Sequence, residues 1–189
     1  MNNGMIDSLL LSRQKLLEEL QIADLKYKGE EEGGCGVVGF CASEPVAARY
    51  IHEPSKQMHN RGNGKGGGIA ALGFVPEQLG VTREVLDNYY MLHIAFLDNG
   101  VRTALEEKYL APNFEIHTSR QLDTVDNWQS IPSLEAKPPD VMRYFVRTKP
   151  AALDAFIAKH GLASLPRDEA DQELISQLST RINLSLIHI

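Results

Sequence analysis

Two glycine-flanked stretches constrain this chain more than anything else in it. The first is Gly33-Gly34-Cys35-Gly36-Val37-Val38-Gly39-Phe40, a cysteine between glycines at the head of a short apolar run. The second is Met58-His59-Asn60-Arg61-Gly62-Asn63-Gly64-Lys65-Gly66-Gly67-Gly68, which leads into Ile69-Ala70-Ala71-Leu72. Glycine opens backbone angles closed to other residues and lets segments approach closely. Each stretch therefore reads as a loop joined to a buried strand, over 36–42 and 69–74. The two are expected to meet in space, with Cys35 as the nucleophile at the meeting point.

On its residues alone, Cys35 has two readings. A cysteine is often a small inert hydrophobe. Flanking glycines, however, leave this sulfur approachable. If the chain were cut between Gly34 and Cys35, the cysteine would carry a free α-amine with a pKa of about 7.7–8.0. Beside a thiol of pKa about 8.5, that amine can act as the general base, so one residue supplies nucleophile and base. Cys41, inside the expected strand 36–42, reads as packing. The two cysteines lie six apart on one expected strand, which makes a disulfide between them sterically poor.

The rest of the chain reads as ordinary α+β. It has 189 residues, 43% hydrophobic and 23% charged, enough for one domain with an appendage. A helix is expected over 6–28, with Ile6, Leu9, Leu10, Leu16, Leu17 and Leu20 near a 3.6-residue period. An acidic glycine-bearing link, 29–34, follows and would be easily cleaved. A helix is expected over 44–58, opened by Pro45 and kinked or ended early by Pro54. Strands are expected over 88–97, 114–118 and 141–147. Helices are expected over 101–110, capped by Asp98 or Asn99, and over 151–160, opened by Pro150 and stopped by Gly161. The order strand-helix-strand-strand-helix suggests a split β-α-β unit of ferredoxin-like type. An acidic helix starts near Pro166, and the apolar end Leu184-Ser185-Leu186-Ile187-His188-Ile189 reads as a stop in mid-domain.

Taken together, the Cys35-Gly36-Val37-Val38-Gly39-Phe40 and Met58-His59-Asn60-Arg61-Gly62 motifs resemble the start of a class II glutamine amidotransferase domain. That family begins Cys-Gly-Ile/Val-x-Gly and follows with a His-Arg-Gly-type motif. The likeness is to the glutamate-synthase-like branch, in which a leader precedes the cysteine. Arg-Tyr-Phe-Val-Arg-Thr-Lys-Pro at 143–150 is similar to an insert of that branch. The resemblance implies an αββα N-terminal-nucleophile sandwich, incomplete here, with an inserted ferredoxin-like subdomain. It divides the chain into a leader, 1–34; the start of the amidotransferase domain, 35–74; the insert, 75–162; and a truncated return toward the amidotransferase domain, 163–189. It makes Cys35 the mature N-terminus and nucleophile, with Arg61 and Gly62 supporting the site.

The implied reaction is hydrolysis of the glutamine side-chain amide through a Cys35 thioester. It yields glutamate, and ammonia for a synthase domain or subunit, with no cofactor and no metal. The family's usual Arg-Gly-x-Asp is here Arg61-Gly62-Asn63-Gly64, without the acid. Residues for the oxyanion, the glutamine carboxylate and the substrate amine are expected beyond Ile189. The chain is thus read as an N-terminal fragment, inactive alone. The alternatives are another N-terminal-nucleophile amidase, or a non-catalytic regulatory module working through 75–162.

Other features exclude function classes. Net charge is −6 and no basic stripe occurs, which disfavours nucleic acid. Lys65 sits among glycines, but no Ser or Thr follows it, so a phosphate loop is not matched. His52, His59, His93, His117, His160 and His188 show no ligand spacing and read as packing or surface residues. No signal peptide or membrane span is evident, and a reducing, cytoplasmic setting is expected.

Overall fold

The computed structural model describes residues 3–20, 36–58, 61, 68–131 and 137–185. The fold is α+β, as expected. The chain divides into two compact units, one formed by 24–83 and the other by 1–23 together with 84–189.

The larger unit is built on three strands, β1 (Tyr90–Phe96), β2 (Phe114–Gln121) and β3 (Asp140–Thr148). Their order is β1-β3-β2, and β3 is antiparallel to both neighbours. β1 and β2 therefore run parallel with β3 between them, the arrangement of a split β-α-β unit. Strand alternation sets the faces. Ile94 and Phe96 on β1, and Met142, Tyr144 and Val146 on β3, are buried in one apolar core. A bulge shifts the β2–β3 register between Ile116 and Thr118 and leaves His117 without a ladder partner.

The connection from β1 to β2 is one continuous helical segment of changing pitch. A 3-10 turn, Asn99–Val101, leads into α-helix Arg102–Leu105 and then a π-turn, Glu106–Leu110. Asp98 caps it by accepting from the Gly100 N–H at 2.8 Å, as expected of that position. The π-turn carries Leu110 into the core, while Glu106 accepts from Tyr144 at 2.7 Å and from Arg102 at 2.8 Å.

Three long helices complete the unit: αA (Asn3–Glu19), αB (Pro150–His160) and αC (Arg167–Ser185). αB behaves as its sequence predicts. Pro150 opens it, and Gly161 closes it in the left-handed region at φ 68°, its N–H bonded to Ile157 O. Leu153, Phe156, Ile157 and His160 form its inner stripe. On αC, Ala170, Leu174, Leu178 and Ile182 recur every four residues and pack into the core.

αA differs from its expected pattern. The inward residues are Met5, Leu9, Ser12 and Leu16, whereas Leu10, Leu11 and Leu17 are exposed. Leucines point several ways around this helix, so hydrophobicity alone does not choose the stripe. The buried polar partners of Ser12 do. Residues 21–28 of the expected helix lie outside the described residues.

The smaller unit contains a 3-10 turn, Ala48–Ile51, then the α-helix His52–Met58 and the helical turn Pro76–Leu79. Pro45 does not open a helix, because 45–47 are extended or irregular. Pro54 falls in the first turn of the helix it was expected to break. Lacking an N–H, it cannot bond back to the Tyr50 carbonyl. The α-pattern therefore begins only at His52, after a separate 3-10 turn.

Candidate functional site

The strands expected over 36–42 and 69–74 are not formed: 36–42 and 68–72 carry no ladder in the described structure. A buried strand needs both a neighbouring strand and a covered face. Here Val37 is 88% exposed, Ile69 72% and Leu72 99%. Cys41, expected as packing, is exposed for the same reason.

The two glycine-bearing stretches nonetheless meet. Gly36 lies against the end of the helix His52–Met58 and against Arg61. A Cβ built on Gly36 would stand 2.8 Å from the Met58 carbonyl oxygen, 2.9 Å from Met58 Cβ and 3.2 Å from Arg61 Cβ. Only glycine fits that approach. Cys35 precedes this contact by one residue, and Gly62 follows Arg61 by one. Cys35 and Gly62 both lie outside the described residues. Arg61 is exposed. Gly39, in contrast, has nothing within 4 Å of its would-be Cβ.

A second polar cluster was not foreseen. It joins αA, αB and αC inside the larger unit. Ser12 Oγ lies 3.2 Å from His160 Nδ1, and Gln177 Nε2 donates to Ser12 Oγ at 2.6 Å and to Glu173 Oε1 at 3.0 Å. Arg13 grips Glu173 with a two-pronged bond, Nε to Oε1 at 3.2 Å and Nη2 to Oε2 at 2.9 Å. Ser12, His160, Glu173 and Gln177 are all buried. Ser12 Oγ has room for both neighbours, accepting from Gln177 and sharing one hydrogen bond with His160 Nδ1. Burial is the main force lowering the His160 pKa, followed by the charge of Lys159. Outside this cluster, Glu19 near the end of αA binds Lys159 at 2.9 Å and also Arg181.

A hydroxyl beside an imidazole invites a catalytic reading, but this pair does not support one. Ser12 has no solvent-accessible surface. The Glu173 carboxylate is taken by Arg13 and Gln177 and does not orient His160. The cluster is a clamp that holds αA to αB and αC. The one hint in the sequence was Ser12 and Arg13 within an otherwise leucine-rich helix. Its partners lie some 150 residues away and could not be paired from spacing.

Among the described residues, no group of three or more His, Cys, Asp and Glu side chains could hold a metal ion. No helix among them is long and apolar enough to cross a membrane. Compared with protein families, with curated proteins and with solved structures, the chain matches none of them.

Proposed function

We propose that this chain carries the start of a class II glutamine amidotransferase domain of the glutamate-synthase-like kind, with Cys35 as its nucleophile. One observation supports this most: the close approach of Gly36, the residue after Cys35, to Met58 and Arg61. An approach of Gly36 to Arg61 is what this reading expects of the cysteine-glycine and arginine-glycine stretches. The αββα sandwich, the ferredoxin-like name for the three-stranded unit and a cytoplasmic setting belong to the same proposal.

The chemistry runs through Cys35 alone. Its thiolate attacks the side-chain amide carbon of glutamine. The tetrahedral intermediate expels ammonia, which takes its proton from the α-ammonium of Cys35, and a γ-glutamyl thioester remains. The α-amine then accepts a proton from water as the water attacks the thioester. Glutamate leaves and the thiol is restored. Arg61 and Gly62 position the cysteine. The ammonia passes to a synthase domain or subunit.

The test has two readouts on the purified chain. Intact mass and N-terminal sequencing are expected to show loss of 1–34, leaving Cys35 with a free amine. A glutamine-like electrophile is then expected to label Cys35 in preference to the exposed Cys41. An uncut chain labelled at Cys41 would overturn the proposal and favour a non-catalytic module. Labelling of Cys35 by other amide analogues but not by the glutamine analogue would point to a different N-terminal-nucleophile amidase.

A further inference from the structure

The sheet of the larger unit has a second face, opposite the one that packs on the helices. A row of nitrogen donors crosses it. In the register, His93 on β1 stands opposite Arg143 on β3, and Arg143 stands opposite Arg120 on β2. Arg143 Nε donates to His93 Nε2 at 2.9 Å. A guanidinium can only donate, so His93 accepts there and carries its own proton on Nδ1. Burial, and then the charge of Arg143, lower the His93 pKa, which agrees with a neutral ring.

The cost of this arrangement is only partly offset by the described residues, at the Arg120 end. Like charges directly opposite each other across strands are destabilising. Burial, and then Arg120, lower the Arg143 pKa. Arg143 binds no carboxylate among the described residues, and its terminal nitrogens have no hydrogen-bond partner there. Of the acids near β2, one is engaged elsewhere and one touches only the outer end of the row. Glu115 holds Arg147 at 2.7 Å. Asp123 reaches Arg120 only at 3.4 Å, with both side chains largely exposed.

We propose that this row binds a phosphate group, either as free inorganic phosphate or as the phosphomonoester of a small metabolite. Two guanidinium groups match a dianion in charge, and the terminal nitrogens of Arg143 can donate to it as a pair. His93 Nδ1–H adds a third donor. The row's own side chains offer no acceptor once His93 Nε2 is used, and a phosphate would take the place of the exposed Asp123 carboxylate on Arg120. The overall charge of −6 opposes a long polyanion, so recognition is local. This site is independent of Cys35.

The experiment is a titration of the full chain, followed by NMR at the arginine Nε–H and histidine ring signals. Inorganic phosphate, phenyl phosphate, acetate and a short oligonucleotide are the probes. Saturable shifts of Arg143 and His93 with either phosphate probe, and none with acetate, are expected. Arg143→Gln and Arg120→Gln are each expected to weaken binding about tenfold or more. Arg147→Gln should leave binding unchanged. If Arg143→Gln does not fold, the exposed Arg120→Gln decides the matter. Tighter binding of phenyl phosphate identifies an ester as the ligand, and tighter binding of inorganic phosphate identifies the free ion. No saturable shift, an equal response to acetate, undiminished affinity in Arg120→Gln, or tighter binding of an oligonucleotide would each overturn the proposal.

Discussion

The two units of this chain use similar apolar sequence to opposite effect. In the larger one, strand and helix stripes close on each other, and Phe96, Leu110, Tyr144, Val146, Leu162 and Leu174 are buried in a common core. In the smaller one, Val37, Phe40, Val46, Tyr50, Ile69 and Leu72 are exposed. Val37-Val38 and Ile69-Ala70-Ala71-Leu72 are as apolar as the buried runs of β3, yet they form no strand. A strand's stability resides in its ladder and its covered face. An apolar run supplies only the potential for both.

The sharpest way to break this contrast is a pair of truncations. Leu174→Ala, in the core, should cost about 2–5 kcal/mol in urea denaturation. Leu72→Ala should stay within about 0.5 kcal/mol of the parent. A large effect at Leu72 would mean that the smaller unit has a core of its own. Next in size is Gly36→Ala, expected to cost about 1–3 kcal/mol by forcing Met58 and Arg61 away. Faster amide exchange in the helix His52–Met58 would report it. Gly39→Ala, with open space around it, is the control and should change nothing.

The clamp on αA gives an effect set by pH. His160 has a folded pKa below its unfolded value of about 6.5, so the folded state takes up its proton less readily. Its contribution is complete above the unfolded value and is lost as pH falls toward the folded one. Stability measured between about pH 7 and pH 5 should therefore fall, and His160→Gln should flatten that part of the profile. Glu19, held at a pKa of about 2 by hydrogen bonds from Arg181 and Lys159, keeps its contribution until pH drops below its ordinary value of 4.5. The two effects should separate on the acid limb. The smallest effect is expected for Arg147→Ala, whose partner Glu115 is also exposed. A double-mutant cycle on that pair should show coupling near the detection limit.

The clamp also bears on the proposed processing. αA is held by Arg13, Ser12 and Leu9 to elements far along the chain. Cutting the peptide bond before Cys35 would leave those contacts intact. The released segment should therefore co-purify with the rest under native conditions and separate only in denaturant.

Local sequence determined the elements whose signals are local. Pro150 and Gly161 bracket αB, Asp98 caps the helical segment after β1, and alternation on β1 marks its inner face, because caps and periodicity act within a turn or a strand. The two glycine-bearing stretches were expected to meet, but only the structure shows that Gly36 is the residue that approaches Met58 and Arg61. Only the tertiary structure decided which stripe of αA faces inward, because Ser12 is recruited by His160 and Gln177 from distant helices. It alone decided that Pro54 lies inside a helix rather than ending one, and that two apolar runs stay unpaired. Each of these depends on a partner brought close by the fold, and such a partner leaves no trace in the spacing of nearby residues.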